Sequence, residues 1–130
     1  MKKVLYAEDE YSNRKLMELL LERNGVCCDL AEDGVAALDL FRRNDYSVIL
    51  LDQYMPGLFG SEVAKQIRRE GSDVPLIAIT SDDSQVPALK EAGFDRVFLK
   101  PMRGVEYVET ILSYVEARSK NPPRDGGCRS

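Results

Sequence analysis

Strand-like and helix-like segments alternate five times along this chain of 130 residues. That alternation predicts an α/β fold, a single doubly wound (βα)5 domain whose five-stranded parallel sheet carries helices on both faces. Two segments, Val48-Ile49-Leu50-Leu51 and Leu76-Ile77-Ala78-Ile79, are unbroken apolar runs of strand length. Such runs mark strands buried on both sides, as in parallel sheets. Right-handed crossovers limit the topology, and the strand order adopted is 2-1-3-4-5.

Taken in order, Lys3-Val4-Leu5-Tyr6-Ala7 is the first strand and ends in Glu8-Asp9-Glu10. Ser12 or Asn13 is placed to cap a helix running to about Asn24, with Leu16, Leu19, Leu20 and Arg23 spaced three and four apart. Gly25 stops it. Val26 to Ala31 is a second strand, interrupted by Asp29 and so assigned to a sheet edge. Asp33-Gly34 turns into a second helix with an apolar stripe of Val35, Leu38 and Phe41. The third strand ends on Asp52, and Pro56-Gly57 prevents its continuation. A third helix runs from Gly60 to Glu70, with Val63 and Ile67 one turn apart. The fourth strand, Leu76 to Thr80, leads to a short helix ending at Ala92, with Pro87 in its first turn. Arg96 to Lys100 is the fifth strand. A last helix spans Gly104 to about Ser119, with Val105, Val108, Leu112 and Val115 inward. The folded domain is thus assigned to residues 1–119, and 120–130, rich in proline and glycine, to a flexible tail or linker stub.

Composition narrows the chemistry. The chain is 44% hydrophobic and 31% charged, enough for an ordinary globular core, and its net charge of -4 argues against direct nucleic-acid binding. Acidic residues end the first apolar run too early for a signal peptide, and no run reaches membrane-spanning length. A cytoplasmic location is the expectation, with Cys27, Cys28 and Cys128 as free thiols. The histidine count is zero, which excludes Ser-His-Asp and Cys-His nucleophile systems and the HExxH zinc motif.

Four strands end in a functional group: Glu8-Asp9, Asp52, Thr80 and Lys100. In a parallel sheet of this order those ends are neighbours on one edge, where open α/β sheets bind ligands. Two unit charges about 4 Å apart cost roughly 4 kcal/mol at an effective dielectric of 20, so clustered carboxylates need a proton or a cation. Oxygen-only ligands with room for water suit Mg²⁺, with Mn²⁺ as a substitute. A metal there would bring an anionic phosphoryl group to Asp52. Lys100 would hold one phosphoryl oxygen and the Thr80 hydroxyl would donate to another. That set suits in-line phosphoryl transfer to a carboxylate.

The motifs Glu8-Asp9, Asp52-Gln53-Tyr54-Met55-Pro56 with Gly60, Thr80-Ser81 and Lys100-Pro101 resemble, in this order, the receiver domain of two-component response regulators. The likeness covers about Lys2 to Ser119 and implies a chemotaxis-type, flavodoxin-like fold. It implies that Asp52 accepts a phosphoryl group from a histidine kinase or histidine phosphotransfer protein. It also implies that Asp9, Asp52 and the Tyr54 backbone carbonyl bind Mg²⁺ directly, Glu8 acts through water, and the peptide before Pro101 is cis. The downstream partner, a protein or an effector domain, is unspecified. Such a domain catalyses only its own phosphorylation and dephosphorylation, and no membrane is implied. The sequence departs from the family pattern in Glu8 for aspartate, Phe59 for an acidic residue, and Val97 for a switching aromatic. Arg96 departs from the acidic pairing pattern of winged-helix regulators.

Two alternatives stay open. One is a receiver-shaped interaction module that phosphorylation does not regulate. The other is a Mg²⁺-dependent phosphatase with an aspartate nucleophile, a class whose DxD motif would place an aspartate where Tyr54 stands.

Overall fold

The computed structural model describes residues 3–102 and 106–118. Its strands are β1 (Lys3–Ala7), β2 (Cys27–Ala31), β3 (Val48–Asp52), β4 (Leu76–Thr80) and β5 (Arg96–Leu99). Its helices are α1 (Tyr11–Arg23), α2 (Gly34–Arg43), α3 (Gly60–Arg69), α4 (Val86–Glu91) and α5 (Glu106–Arg118). A single 3-10 turn, Asp83–Gln85, precedes α4. All strand pairs are parallel and the order is β2-β1-β3-β4-β5, as the alternation predicted.

Period-two alternation splits the core into two layers. Leu5, Ala7, Ile49, Leu51, Leu76 and Ala78 face one side and pack with Ala37, Leu38, Val63 and Ile67 of α2 and α3. Val4, Tyr6, Val48, Leu50, Ile77 and Ile79 face the other and meet Met17, Leu21, Ile111 and Val115 of α1 and α5. The central strands β3 and β4 are buried along their whole length, which is why they read as unbroken apolar runs. Asp29 sits in the edge strand β2, where Tyr46 Oη donates to its carboxylate at 2.7 Å and Lys3 Nζ lies 3.4 Å away.

Four readings, spread over three helices, need correction. In α1 the buried residues are Met17 and Leu21, while Leu16 and Leu19 are about half exposed. The run Leu19-Leu20-Leu21 satisfies more than one helical stripe, and packing on the sheet selects which. Neither Ser12 nor Asn13 caps α1; Glu10 stands at the N-cap without a side-chain bond. In α2, Asp33 caps through Ala36 N–H at 2.8 Å, but Val35 is exposed and Ala37 takes the inward place. In α5, Val108, Ile111 and Val115 are buried and Leu112 only partly; Val105 and the segment 120–130 lie outside the described residues. Cys28 is a free thiol, whereas Cys27 is disulfide-bonded, contrary to the expectation. Residue spacing carried no sign of it. Cys128 lies outside the described residues.

The turn after β3 depends on two glycines. Gly57 follows Pro56 at φ +86°, a conformation that L side chains rarely adopt. Gly60 opens α3 so close to the strand end that a Cβ there would lie 2.6 Å from the Asp52 carbonyl oxygen. Its own N–H donates to Gln53 O at 2.9 Å, so backbone meets backbone and neither gives way cheaply. Gly60→Ala is therefore expected to destabilise the fold by about 1–3 kcal/mol. Urea denaturation checks this; an unchanged midpoint would show that the loop relaxes freely.

Candidate functional site

Strand register assembles the site. Ala7 pairs with Leu51, so Glu8 follows at the level of Asp52 on the neighbouring strand. Asp52 pairs with Ile79, and Thr80 with Leu99, which places Lys100 one residue beyond. Glu8, Asp52 and Thr80 are all buried. A parallel sheet thus delivers residues from four separate segments to one edge.

Lys100 Nζ lies between two carboxylates, 3.0 Å from Asp52 Oδ2 and 3.3 Å from Glu8 Oε1. Burial alone would lower the pKa of its ammonium. The hydrogen bond and charge of Asp52, then those of Glu8, outweigh burial and hold it above the usual lysine value. Lys100 therefore stays charged through neutral pH, and its contribution to stability is lost only as pH rises through that raised pKa. The Lys100–Pro101 peptide is cis.

Glu8 has further donors. Tyr6 Oη donates to its Oε1 at 3.2 Å and Glu10 N–H to its Oε2 at 3.1 Å. Burial, then the charge of Glu8, pushes the Tyr6 phenol well above its ordinary pKa, so it remains a donor. Arg14 Nη1 donates to the Glu8 carbonyl at 2.8 Å and ties the loop after β1 to α1.

Asp9 joins Glu8 and Asp52 in an acidic cluster: one carboxylate oxygen from each of the three lies within 4.8 Å of the others. Asp9 is the exposed member, whereas Glu8 and Asp52 are buried. Three oxygen donors, one open to water, fit a hard divalent cation that keeps part of its hydration shell.

The remaining predicted residues take different positions. Thr80 is at the same edge, but its hydroxyl is engaged by the following loop. It donates to Gln85 Oε1 at 3.4 Å and accepts from Asp82 N–H at 3.2 Å. The Tyr54 side chain is half exposed, stacked edge-on against Phe59 with ring centroids 5.8 Å apart. Val97 is half-buried and packs into the layer with α2 and α3, whereas Phe98 packs into the opposite layer.

Sequence reading gave no role to Tyr6, Arg14 or Gln85, and named Gln53 only as part of the motif after β3. Tyr6 carried a signal, because residues two apart on a strand share a face and Tyr6 is two before Glu8. Gln53 is buried and clamps the start of α3, accepting from Ser61 N–H at 2.8 Å and donating to Ser61 Oγ at 3.2 Å. Gln85 lies in no periodic segment or motif, so nothing local marked it.

The family model for the response regulator receiver domain matches residues 4–112. The response regulator MprA of Mycobacterium sp. (strain KMS) is 34% identical over 128 residues, which is 96% of this chain and 54% of MprA. The chain thus spans about half the length of the curated relatives it matches. Among solved structures, the Francisella response regulator 1452 receiver domain superposes with a TM-score of 0.85 at 27% identity, covering 90% of this chain and 98% of that one. The response regulator TrrA of Thermotoga maritima, solved in complex with Mg²⁺-BeF, gives 0.80 at 32% identity, covering 88% and 99%. Matched by that family model across most of its length and by relatives a third identical, this chain belongs to the response regulator receiver domains of two-component systems.

Proposed function

We propose that Asp52 is the phosphoacceptor of a two-component phosphorelay and takes its phosphoryl group from a phosphohistidine on a histidine kinase or histidine phosphotransfer protein. The observation that carries this reading is a buried Asp52 carboxylate held 3.0 Å from Lys100 Nζ, with Glu8 and Asp9 in the same cluster. An Asp52 oxygen attacks phosphorus in line, the phosphorus–nitrogen bond to the donor imidazole breaks, and the leaving imidazole takes up a proton from solvent. Lys100 steadies one equatorial oxygen as a point charge, and the Thr80 hydroxyl is the donor for another. Asp9, Asp52 and the Tyr54 backbone carbonyl would hold Mg²⁺ or Mn²⁺ directly, with Glu8 acting through water. A bound divalent ion supplies the charge neutralisation that lets a phosphoryl group approach an acidic pocket.

The chain acts in the cytoplasm, modifies only itself, and signals through a change in affinity for a downstream protein or effector domain, without contacting nucleic acid or membrane. The receiver unit corresponds to residues 1–119, with 120–130 as tail or linker. Because Val97 is stiff and short where an aromatic would report the change, output runs through the loop Thr80-Ser81-Asp82 and α4.

Incubation with a small phosphodonor and Mg²⁺ should add one phosphoryl group, mapped to Asp52 by mass spectrometry and lost in Asp52→Asn. An adduct that persists in that variant would refute the assignment. Lys100→Ala should slow phosphorylation on the order of a hundredfold, the usual cost of removing one charge-stabilising donor. Mg²⁺ affinity should stay the same or rise, because a competing cation has left Asp52 and Glu8. Markedly weaker Mg²⁺ binding would place Lys100 in a metal-supporting role instead.

A further inference from the structure

Gln85 spans the mouth of the site. It closes the 3-10 turn Asp83–Gln85, and its side chain reaches back in two directions. Its Nε2 donates to Tyr54 Oη at 2.6 Å, a short bond between the loop after β3 and the loop after β4. Its Oε1 accepts from the Thr80 hydroxyl at 3.4 Å, a long bond. The turn fixes the backbone of Gln85, since Asp82 caps it by accepting from Ser84 N–H at 3.0 Å and Ser84 Oγ at 2.6 Å. Tyr54 is steadied from its other side by Phe59. The bridge is thus anchored at both ends and touches neither Asp52 nor Lys100.

A hydroxyl has one proton to give. In this structure Thr80 gives it to Gln85; with a phosphoryl group on Asp52 the same proton is required by a phosphoryl oxygen. The two acceptors exclude each other. The charged acceptor is the stronger, and the long bond to Gln85 is the weaker one to break.

We infer that Gln85 and Tyr54 are positioning residues that hold the Thr80 hydroxyl away from Asp52 in the unphosphorylated chain, and that phosphoryl binding must release this bridge. The inference rests on the reading of Asp52 as phosphoacceptor. Release frees the Gln85 carbonyl and severs the link between Thr80 and the Tyr54–Phe59 pair, which lets the loop after β4 rearrange at the surface while Gln85 stays on Tyr54. A bridge between loops can take the place of a rotating aromatic at position 97, where the chain has Val97. An opposing contact must also lower the affinity for the phosphoryl group, since part of the binding free energy is used to break it.

The test is calorimetric titration of the Mg²⁺-loaded chain with beryllium fluoride, a phosphoryl mimic. Gln85→Ala should bind it about threefold to tenfold more tightly, the equivalent of one net hydrogen bond. Tyr54→Phe should shift affinity in the same direction by less, and the double variant should not exceed Gln85→Ala alone. Removing the Gln85 side chain in a Thr80→Ala background should change nothing, an outcome that a merely structural role for Gln85 would not produce. Mg²⁺ affinity should be equal in the natural chain and in Gln85→Ala. If Gln85→Ala folds poorly, Tyr54→Phe, which deletes one surface hydroxyl, decides the matter alone. Unchanged or weaker adduct binding in a folded variant that keeps its Mg²⁺ affinity overturns the inference and leaves the phosphoacceptor reading intact. Failure of the natural chain to bind the adduct at all overturns both.

Discussion

The ammonium of Lys100, set between the carboxylates of Asp52 and Glu8, resolves a conflict that the sheet itself creates. Parallel register carries two acidic strand ends to the same level on adjacent strands, and both are removed from water. Unpaired, such charges would repel each other and pay a desolvation cost of several kcal/mol each. One lysine, one phenol and one backbone N–H supply the compensation. Among the described residues no buried side-chain polar atom is left without a partner. The arrangement leaves three carboxylates gathered in a set that fits a divalent cation.

The stiffness behind this site comes from the two apolar layers. Leu50 and Ile77 face one layer while Leu51 and Ala78 face the other, so the strands that end in Asp52 and Thr80 are gripped from both sides. Movement is thereby left to the loops. Gln53 clamps the start of α3 and Gly60 presses against the end of β3, which keeps the carboxylate side of the site rigid. The hydroxyl side differs. Thr80 is followed by a polar turn and a helix of only six residues, held by hydrogen bonds that are long or exposed. Few packed neighbours and solvent-exposed hydrogen bonds mark segments of low local stability, and the two halves of this site differ in that respect.

Surface features follow the same division. Tyr11, Leu16 and Leu19 leave an apolar strip on α1, and a cleft lined by Asn13, Leu16, Met17 and Tyr107 opens beside Lys100. Tyr54 and Phe59 form a second exposed apolar feature, in the loop between β3 and α3.

Much of this was legible from the chain itself. Unbroken runs such as Val48 to Leu51 can be satisfied only by burial on both faces, and alternation with helices then dictates a parallel sheet. Once the strand order is chosen, the register of a parallel sheet brings Glu8, Asp9, Asp52 and Lys100 to one edge without further information. Local sequence determined these features because strand ends and apolar periodicity are local properties. Tertiary structure alone decided the rest. Which stripe of Leu19-Leu20-Leu21 turns inward depends on the sheet that α1 meets, not on helical spacing. The disulfide bond of Cys27 likewise left no sign in the spacing of the cysteines. The proton of Thr80 goes to Gln85 because two loops, distant in sequence from each other, close over the same opening, and side-chain hydrogen bonds between loops leave no period in the sequence to read.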